Sequence, residues 1–212
     1  MTAYDEQEEL EKLKAWWKNY GTSLIIGVLL GAAVLVGFRY WTQSKEQRLQ
    51  DASVLYNQMV QDMRGKKNDD ARKTGESLVN DYSATPYAGM AGLLLARLDF
   101  DAGDAKTART HLQWVIDHAK DPATAGAARL RLARLLIGGG EQDAALALLN
   151  SKEQGGFEGE YQELRGDIYA AQGKRDDARA AYREALKRLP PDSPYLPVLK
   201  MKLDDLGPEK TS

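Results

Sequence analysis

The chain has 212 residues, contains no cysteine and carries a formal net charge of −2 at pH 7. This length fits one domain of ordinary size with an additional segment. Without cysteine the protein has no disulfide, no thiol nucleophile and no thiolate metal ligand. The near-balanced charge provides no basic field of the kind that holds nucleic acid.

The first 20 residues predict an amphipathic helix that leads into a membrane. Acidic residues open this segment, which suits the positive end of a helix dipole. Apolar side chains then fall on one side of the helix: Leu10, Leu13, Trp16, Trp17 and Tyr20. We therefore expect residues 1–20 to form a cytoplasmic or interfacial segment.

An uncharged stretch follows and predicts one transmembrane helix. Between Lys18 and Arg39 lie 20 residues without a charged side chain. As a helix they span about 30 Å, the thickness of a hydrocarbon core. The stretch is apolar on every face, whereas a buried helix of a small soluble domain keeps a polar stripe. We assign the transmembrane helix to residues 21–41.

A cleaved signal peptide is the alternative for this stretch. Signal peptides have an apolar region of about 7–15 residues, followed by a cleavage site of small residues. Here the apolar run is longer, and residues 38–41 are the bulky sequence Phe-Arg-Tyr-Trp. An uncleaved anchor is therefore the better interpretation.

Aromatic and basic side chains flank the apolar stretch. Amphipathic rings prefer the headgroup region, and long cations extend from it into water. The predicted interface anchors are Trp16, Trp17, Arg39, Tyr40 and Trp41. Lys and Arg are equally frequent on the two flanks, so the positive-inside rule does not set the orientation. The short N-terminal flank favours its retention in the cytoplasm.

Small residues inside the apolar stretch predict a helix-packing face. Gly27 and Gly31 are four residues apart, and Ala33 and Gly37 repeat that spacing. Such pairs let two helices approach closely in lipid. Gly27, Gly31 and Gly37 are therefore packing candidates. Because glycine is common in membrane helices, a helix without a specific partner is the alternative.

Residues 42–206 predict a domain of helical hairpins, and residues 207–212 a disordered tail. No stretch shows the alternation of a strand. Helix starts are predicted where a capping side chain precedes a proline or follows a glycine. The capping residues are Thr85, Asp104, Asp121, Asp176 and Ser193.

An internal repeat is the strongest feature of this domain. Its signature residues Gly166, Tyr169, Gly173, Ala178, Tyr182, Ala185 and Pro190 are separated by 3, 4, 5, 4, 3 and 5 residues. This is the tetratricopeptide pattern. Weaker copies begin at Ala133 and Ala96, and residues 52–64 with 69–82 form a fourth pairing. The sequence therefore predicts an all-α fold, a transmembrane helix followed by an α-solenoid of tetratricopeptide-like hairpins. An irregular helical domain is the alternative.

No group of residues predicts an active site, a cofactor site or a metal site. His111 and His118 can share a helix face, but they lack further ligands. The Gly138–Gly140 run lacks the Lys and Ser/Thr of a phosphate loop and is interpreted as a hairpin turn. Arg129, Arg131 and Arg134 are interpreted as a solvated helix face, with a site for an acidic partner as the alternative. We expect no enzyme activity.

The order of parts resembles a known family. Residues 13–21 (LKAWWKNYG), the Gly-rich span and residues 37–41 (GFRYW) are similar to the N-terminal region of the YfgM-like ancillary subunits of the bacterial Sec translocon. The resemblance implies an inner-membrane protein with a cytoplasmic N-terminus and a periplasmic domain. It also implies association with SecYEG and with a membrane-anchored periplasmic chaperone of the prolyl-isomerase type. Such a protein helps exported polypeptides reach their chaperones.

The expected function is a membrane-anchored protein-interaction module. Stacked hairpins form concave surfaces that hold peptides or partner domains. The candidate exposed aromatics are Tyr87, Trp114, Phe157, Tyr161 and Tyr195, and a place in the core is the equal alternative for each of them. One alternative is a scaffold for envelope assembly or cell division. Another is a cytoplasm-facing regulator that acts through the acidic N-terminal segment.

Overall fold

A computed structural model describes residues 3–151 and 154–207 of the chain. The described residues form helices, turns and loops, and none of them lies in a strand. The chain divides into two compact units, residues 1–50 and 51–212. The predicted all-α class is therefore confirmed. The predicted tail lies outside the described residues except for Gly207.

The N-terminal helix contains the apolar stretch. Helix α1 runs from Ala3 to Arg64, and in the described part of the chain it is the one helix long and apolar enough to cross a membrane. Its apolar side chains are exposed, for example Val34 at 69% and Leu35 at 71%. Such side chains require an apolar solvent, so the helix has the composition of a membrane span.

Eight further helices follow in the described residues of the second unit. They are α2 (Asn68–Asp81), α3 (Pro86–Asp101), α4 (Ala105–His118), α5 (Pro122–Gly138), α6 (Gln142–Leu149), α7 (Glu158–Ala171), α8 (Arg175–Arg188) and α9 (Leu196–Asp205). Successive helices pack as antiparallel hairpins, α3 with α4, α5 with α6 and α7 with α8. Helix α9 packs on α8 at the end of the stack.

The predicted fourth pairing is present at the start of this unit. Ala52 and Met59 of α1 share one buried cluster with Ala71 and Leu78 of α2. A Cβ atom added at Gly75 would lie 2.7 Å from Met59 Cε. Glycine at this position therefore lets the two helices approach closely.

The three repeats turn in the same way at their glycines. Gly103, Gly140 and Gly173 have φ values of +81°, +80° and +72°, a conformation that glycine adopts without steric cost. After each glycine the next amide donates to the carbonyl five residues earlier: Asp104 to Asp99 at 2.9 Å, Glu141 to Leu136 at 2.8 Å and Lys174 to Tyr169 at 2.9 Å. The periodicity found in the sequence is therefore a structural repeat.

The repeat signature forms the contact between paired helices. A Cβ atom added at Gly166 would lie 2.4 Å from the Tyr182 ring. Ala178 and Ala185 are fully buried, and Tyr169 is half-buried against the same cluster. Pro190 follows the end of α8 and is exposed. Small residues on one helix thus leave room for an aromatic ring on the next, which is the physical reason for the spacing.

Two of the predicted caps are confirmed. Asp104 and Asp121 precede α4 and α5, and each accepts a hydrogen bond of 2.9 Å from the amide three residues later. The bonds from Thr107 and Thr124 lower the pKa values of these carboxyl groups. Thr85 holds the cap position of α3, but its hydroxyl donates to the Tyr82 carbonyl instead.

Two predicted caps are wrong. Helix α8 begins at Arg175 with Lys174 as its cap residue, so Asp176 lies inside the first turn. Each repeat begins its second helix two residues after the turn glycine, which leaves no room for a cap at Asp176. Ser193 belongs to a turn in which its amide donates to the Pro190 carbonyl at 3.0 Å. Helix α9 therefore begins later, at Leu196.

Candidate functional site

A groove lined by residues of α3, α4 and α5 is a concave surface among the described residues. Its volume is about 1010 Å³. Apolar side chains form one part of its lining, called here the apolar wall: Leu94, Ala96, Leu112 and Leu135. Phe100 also lines the groove, with 57% of its surface exposed. A concave, largely apolar surface of this size suits a peptide or a partner side chain.

Basic side chains line the same groove. They are Arg97 on α3, Lys106 and Arg109 on α4, and Arg131 and Arg134 on α5. Glu141, in the turn before α6, is the carboxylate among the described lining residues. The two cations of α4 and the two of α5 lie three positions apart, so each of these helices turns one stripe of cations toward the groove.

Two of these cations are paired with carboxylates. Arg109 Nη1 donates to Glu141 at 2.9 and 3.0 Å, which joins α4 to the turn between α5 and α6. Arg97 Nε donates to Asp101 at 2.7 Å within α3. Both pairs are exposed, so each contributes little to stability.

Arg131 has a different environment. Its Nη1 donates to the carbonyl of Leu93 at 3.3 Å, and this bond joins α5 to α3. Partial loss of surrounding water, together with the positive charges of Arg97 and Arg134, lowers the pKa of the Arg131 guanidinium. The groove therefore holds a concentration of positive charge that its own residues do not neutralise.

The sequence interpretation of the three α5 arginines is only partly right. Arg131 and Arg134 are exposed, but they line the groove instead of a uniform solvated face. Arg129 is half-buried and interacts with Tyr161. The three-residue spacing of Arg131 and Arg134, with Arg97 at the place of Arg134 in the preceding repeat, is the signal that identifies the groove face.

The predicted exposed aromatics are mostly core residues. Tyr161 is fully buried, and its hydroxyl donates to the Gly126 carbonyl at 3.3 Å. Tyr87, Trp114 and Phe157 are half-buried against the core clusters. Tyr195 is exposed at 51%, but it lies outside the groove. Phe100, which the sequence interpretation omitted, is the aromatic residue of the groove.

The predicted membrane residues lie on the exposed surface of α1. Trp16 and Trp17 are 46% and 53% exposed, and the rings of Phe38 and Trp41 are 6.1 Å apart. Lys45 Nζ lies 3.5 Å from the Trp41 ring centroid, and Arg39 and Tyr40 are exposed beside it. The role of these side chains as interface anchors stays a prediction.

The three glycines proposed for helix packing are also exposed. A Cβ atom added at Gly27, Gly31 or Gly37 would have no neighbour within 4 Å. The space beside them is therefore available to another helix. Their packing role stays a prediction.

The two histidines have structural partners. His111 Nδ1 lies 2.6 Å from a carboxylate oxygen of Asp99. The ring of His118 stacks on Trp114 with centroids 4.7 Å apart. Within residues 3–151 and 154–207, no group of three or more His, Cys, Asp or Glu side chains is arranged to hold a metal ion.

Comparison with known proteins gives a consistent result. A model of the tetratricopeptide repeat-like domain matches residues 14–208. The ancillary SecYEG translocon subunit of Neisseria gonorrhoeae is 32% identical over 203 residues, 95% of this chain and 97% of that protein. Proteins of the same name from Haemophilus influenzae and Escherichia coli are both 28% identical. They align with 85% and 86% of this chain and with 88% of their own lengths.

The family resemblance seen in the sequence is thereby confirmed, and so is the predicted solenoid of tetratricopeptide-like hairpins. Both the repeat domain and most of the N-terminal helix fall within the matched residues. The chain therefore belongs to the family of ancillary SecYEG translocon subunits with a tetratricopeptide repeat-like domain.

Proposed function

We propose that this chain is an ancillary subunit of the Sec translocon that binds partner proteins through its repeat domain. The observation that carries this proposal is the combination of an apolar N-terminal helix with a repeat domain that contains an open groove. Relatives along nearly the whole chain carry the name of ancillary SecYEG translocon subunits. The N-terminus lies in the cytoplasm and the repeat domain in the periplasm.

In this function the membrane helix is the tether. A tether converts binding at the channel into an intramolecular event, so contacts that are weak in solution become sufficient. The groove then takes a segment of an exported polypeptide or of a membrane-anchored periplasmic chaperone of the prolyl-isomerase type. The proposed domains are residues 1–20 at the cytoplasmic interface, 21–41 in the membrane and 42–206 in the periplasm.

No catalytic step is part of this proposal. The described groove contains cations, apolar groups and the Glu141 carboxylate, but it has no nucleophile placed beside a general base. Its chemistry is that of a binding surface. The protein acts by holding partners near each other and not by changing a covalent bond.

Site-specific photocrosslinking in native membranes tests the proposal. Crosslinkers at Val34 and Leu35 are expected to react with channel subunits. Crosslinkers at Phe100 and Arg134 are expected to react with a chaperone or an exported chain. Lys187, exposed on α8 and outside the groove, is the control position and is expected to give no specific product.

Co-purification in mild detergent is the independent measurement. The tagged full chain is expected to recover SecYEG subunits, and the chaperone with them. The absence of channel subunits from both the crosslinked and the co-purified material would contradict the proposal, as would a location of the chain confined to midcell.

A further inference from the structure

The charge of the groove is strongly one-sided. Its lining carries the five cations already described and one carboxylate, that of Glu141. That carboxylate is already bonded to Arg109. Among the described residues, no carboxylate forms an ion pair with Arg131 or Arg134. Two guanidinium groups on adjacent turns of α5 are thus turned toward a concave surface with no acidic group to match them.

A hydrogen bond to α3 orients the Arg131 side chain. One nitrogen, Nη1, is held by the Leu93 carbonyl of α3, while the side chain remains exposed. A guanidinium group has five N–H donors in a rigid fork and matches a carboxylate with two parallel hydrogen bonds. Orientation before binding reduces the entropy lost when a ligand carboxylate arrives.

The apolar wall specifies the rest of the ligand. Leu94 and Leu135 are half-buried, and Phe100 is an exposed residue that lines the same groove. A ligand that carried only negative charge would leave these surfaces in contact with water. A ligand with acidic and apolar side chains on one segment would cover both parts, and burial of apolar area is the larger contribution to affinity.

We propose that the groove binds an acidic and apolar peptide segment of a partner protein. Glu or Asp side chains of that segment pair with Arg131 and Arg134, and a large apolar side chain packs between Phe100 and Leu135. This inference rests on the proposed function, because it names the chemistry of the segment that the interaction module selects. The carboxylates of the acidic segment offset the mutual repulsion of Arg97, Arg131 and Arg134 when the segment binds.

Binding of labelled peptides to the full chain tests this inference. The chain is placed in nanodiscs of zwitterionic lipid, and fluorescence anisotropy is measured with three synthetic peptides. The first peptide is rich in Glu and Leu. The second has Gln in place of every Glu, and the third has Lys in place of every Glu. The Gln peptide corrects for nonspecific partition into lipid, because its leucines are identical. We expect the Glu peptide to bind at least about tenfold more tightly than the Gln peptide.

Matched variants distinguish the contribution of the groove arginines to binding from that of the protein's overall charge. Arg131→Gln with Arg134→Gln is expected to weaken binding of the Glu peptide about tenfold. Arg175→Gln with Arg188→Gln removes the same charge from exposed positions of α8, outside the groove, and is expected to leave binding unchanged. If the double variant unfolds, Arg134→Gln alone is measured instead. Its affinity for the Glu peptide is expected to fall about threefold.

Three results would overturn the inference: equal binding of the Glu and Gln peptides, equal weakening by the two double variants, or stronger competition by phosphatidylglycerol vesicles than by unlabelled Glu peptide. The last result would mean that the basic residues of the groove bind a lipid surface. In each case co-purification with SecYEG subunits remains a separate measurement. A failed peptide experiment with intact co-purification therefore rejects the acidic ligand and leaves the proposed function in place.

Discussion

Asp99 shows how one residue can connect three helices. It occupies the repeat position filled by Leu136 and Tyr169 in the next two repeats, yet only 1% of its surface is exposed. Arg72 of α2 donates to one of its carboxylate oxygens, and His111 of α4 lies 2.6 Å from the other. The sequence shows that Asp99 breaks the apolar pattern. It cannot identify the partners, because they come from other helices.

Replacement of Asp99 by alanine is expected to lower the free energy of unfolding by about 2–4 kcal/mol, because the partners lose their buried counter-charge. Asp101 is the matched control, since it is 52% exposed and pairs with Arg97 one turn along the same helix. Asp101→Ala is expected to cost less than about 0.5 kcal/mol. Urea unfolding followed by circular dichroism measures both; similar losses in the two variants would contradict the structural role of Asp99.

Gly166 tests the packing of the two helices within one repeat. A Cβ atom there would lie 2.4 Å from the Tyr182 ring, so Gly166→Ala is expected to reduce the free energy of unfolding by about 1–3 kcal/mol. Gly138 is also in a helix, but a Cβ atom there would have no neighbour within 4 Å. Gly138→Ala is expected to be neutral or stabilising by up to about 1 kcal/mol. A stabilising Gly166→Ala would mean that the two helices are not in close contact.

At the scale of elements, the sequence predicts the hairpins better than the ends of the helices. The turn glycines can be recognised in the sequence because each turn has a positive φ value at this position. Few residues other than glycine adopt that conformation. The cap at Asp176 was misplaced because an acidic residue favours both the cap and the first turn of a helix. The late start of α9 depends on the turn around Ser193, which local sequence does not distinguish from a cap.

Polar contacts hold helix α9 against the last hairpin. Lys202 Nζ donates to Glu163 and Asp167 at 2.8 Å, and the Tyr182 hydroxyl donates to Asp167 at 2.7 Å. Burial and then the bond to Asp167 raise the pKa of Tyr182. Burial opposes the charge of Lys202, but its bonds to Asp167 and Glu163 outweigh this effect and raise its pKa.

These shifts predict a loss of stability at alkaline pH. Both groups hold their protons more tightly in the folded chain than in the unfolded chain. Their stabilisation is therefore complete below pH of about 10, the ordinary range of tyrosine and lysine, and is lost as pH rises through the elevated values. Thermal unfolding of the full chain, measured at increasing pH, is expected to show this decline.

Tyr182→Phe isolates the contribution of the hydroxyl. At neutral pH it is expected to cost about 1 kcal/mol, because one hydrogen bond is lost. Above pH of about 10 the variant is expected to lose less stability than the original chain. Tyr195→Phe is the control, because Tyr195 is exposed, and it is expected to follow the original chain. An identical alkaline decline for Tyr182→Phe would contradict the assignment.

At the scale of the whole molecule, the sequence predicts the class of protein but not the position of the groove. The apolar stretch and the repeat are continuous in sequence and so can be found directly. The groove combines residues of three helices, from Leu94 to Glu141. Phe100 was missed because only the packing of α3 against α4 and α5 shows that its exposed ring lies beside the arginines.

The proposed topology predicts which residues are accessible from outside the inner membrane. The chain has no cysteine, so a single introduced cysteine can be labelled without background. Ser83→Cys, in an exposed turn of the repeat domain, is expected to react with a membrane-impermeant maleimide in intact spheroplasts. Glu9→Cys is expected to react only after the membrane is permeabilised. Labelling in the reverse order would contradict a periplasmic repeat domain.

The assignment of the apolar stretch of α1 to the lipid is tested most directly by alkaline carbonate extraction of membranes that contain the full chain. We expect the chain to remain in the membrane pellet, because its exposed apolar side chains are solvated by lipid. A variant with Leu30→Lys and Val34→Lys, which places charges in the same stretch, is expected to be released. Release of the unaltered chain into the carbonate supernatant would contradict a membrane-anchored module.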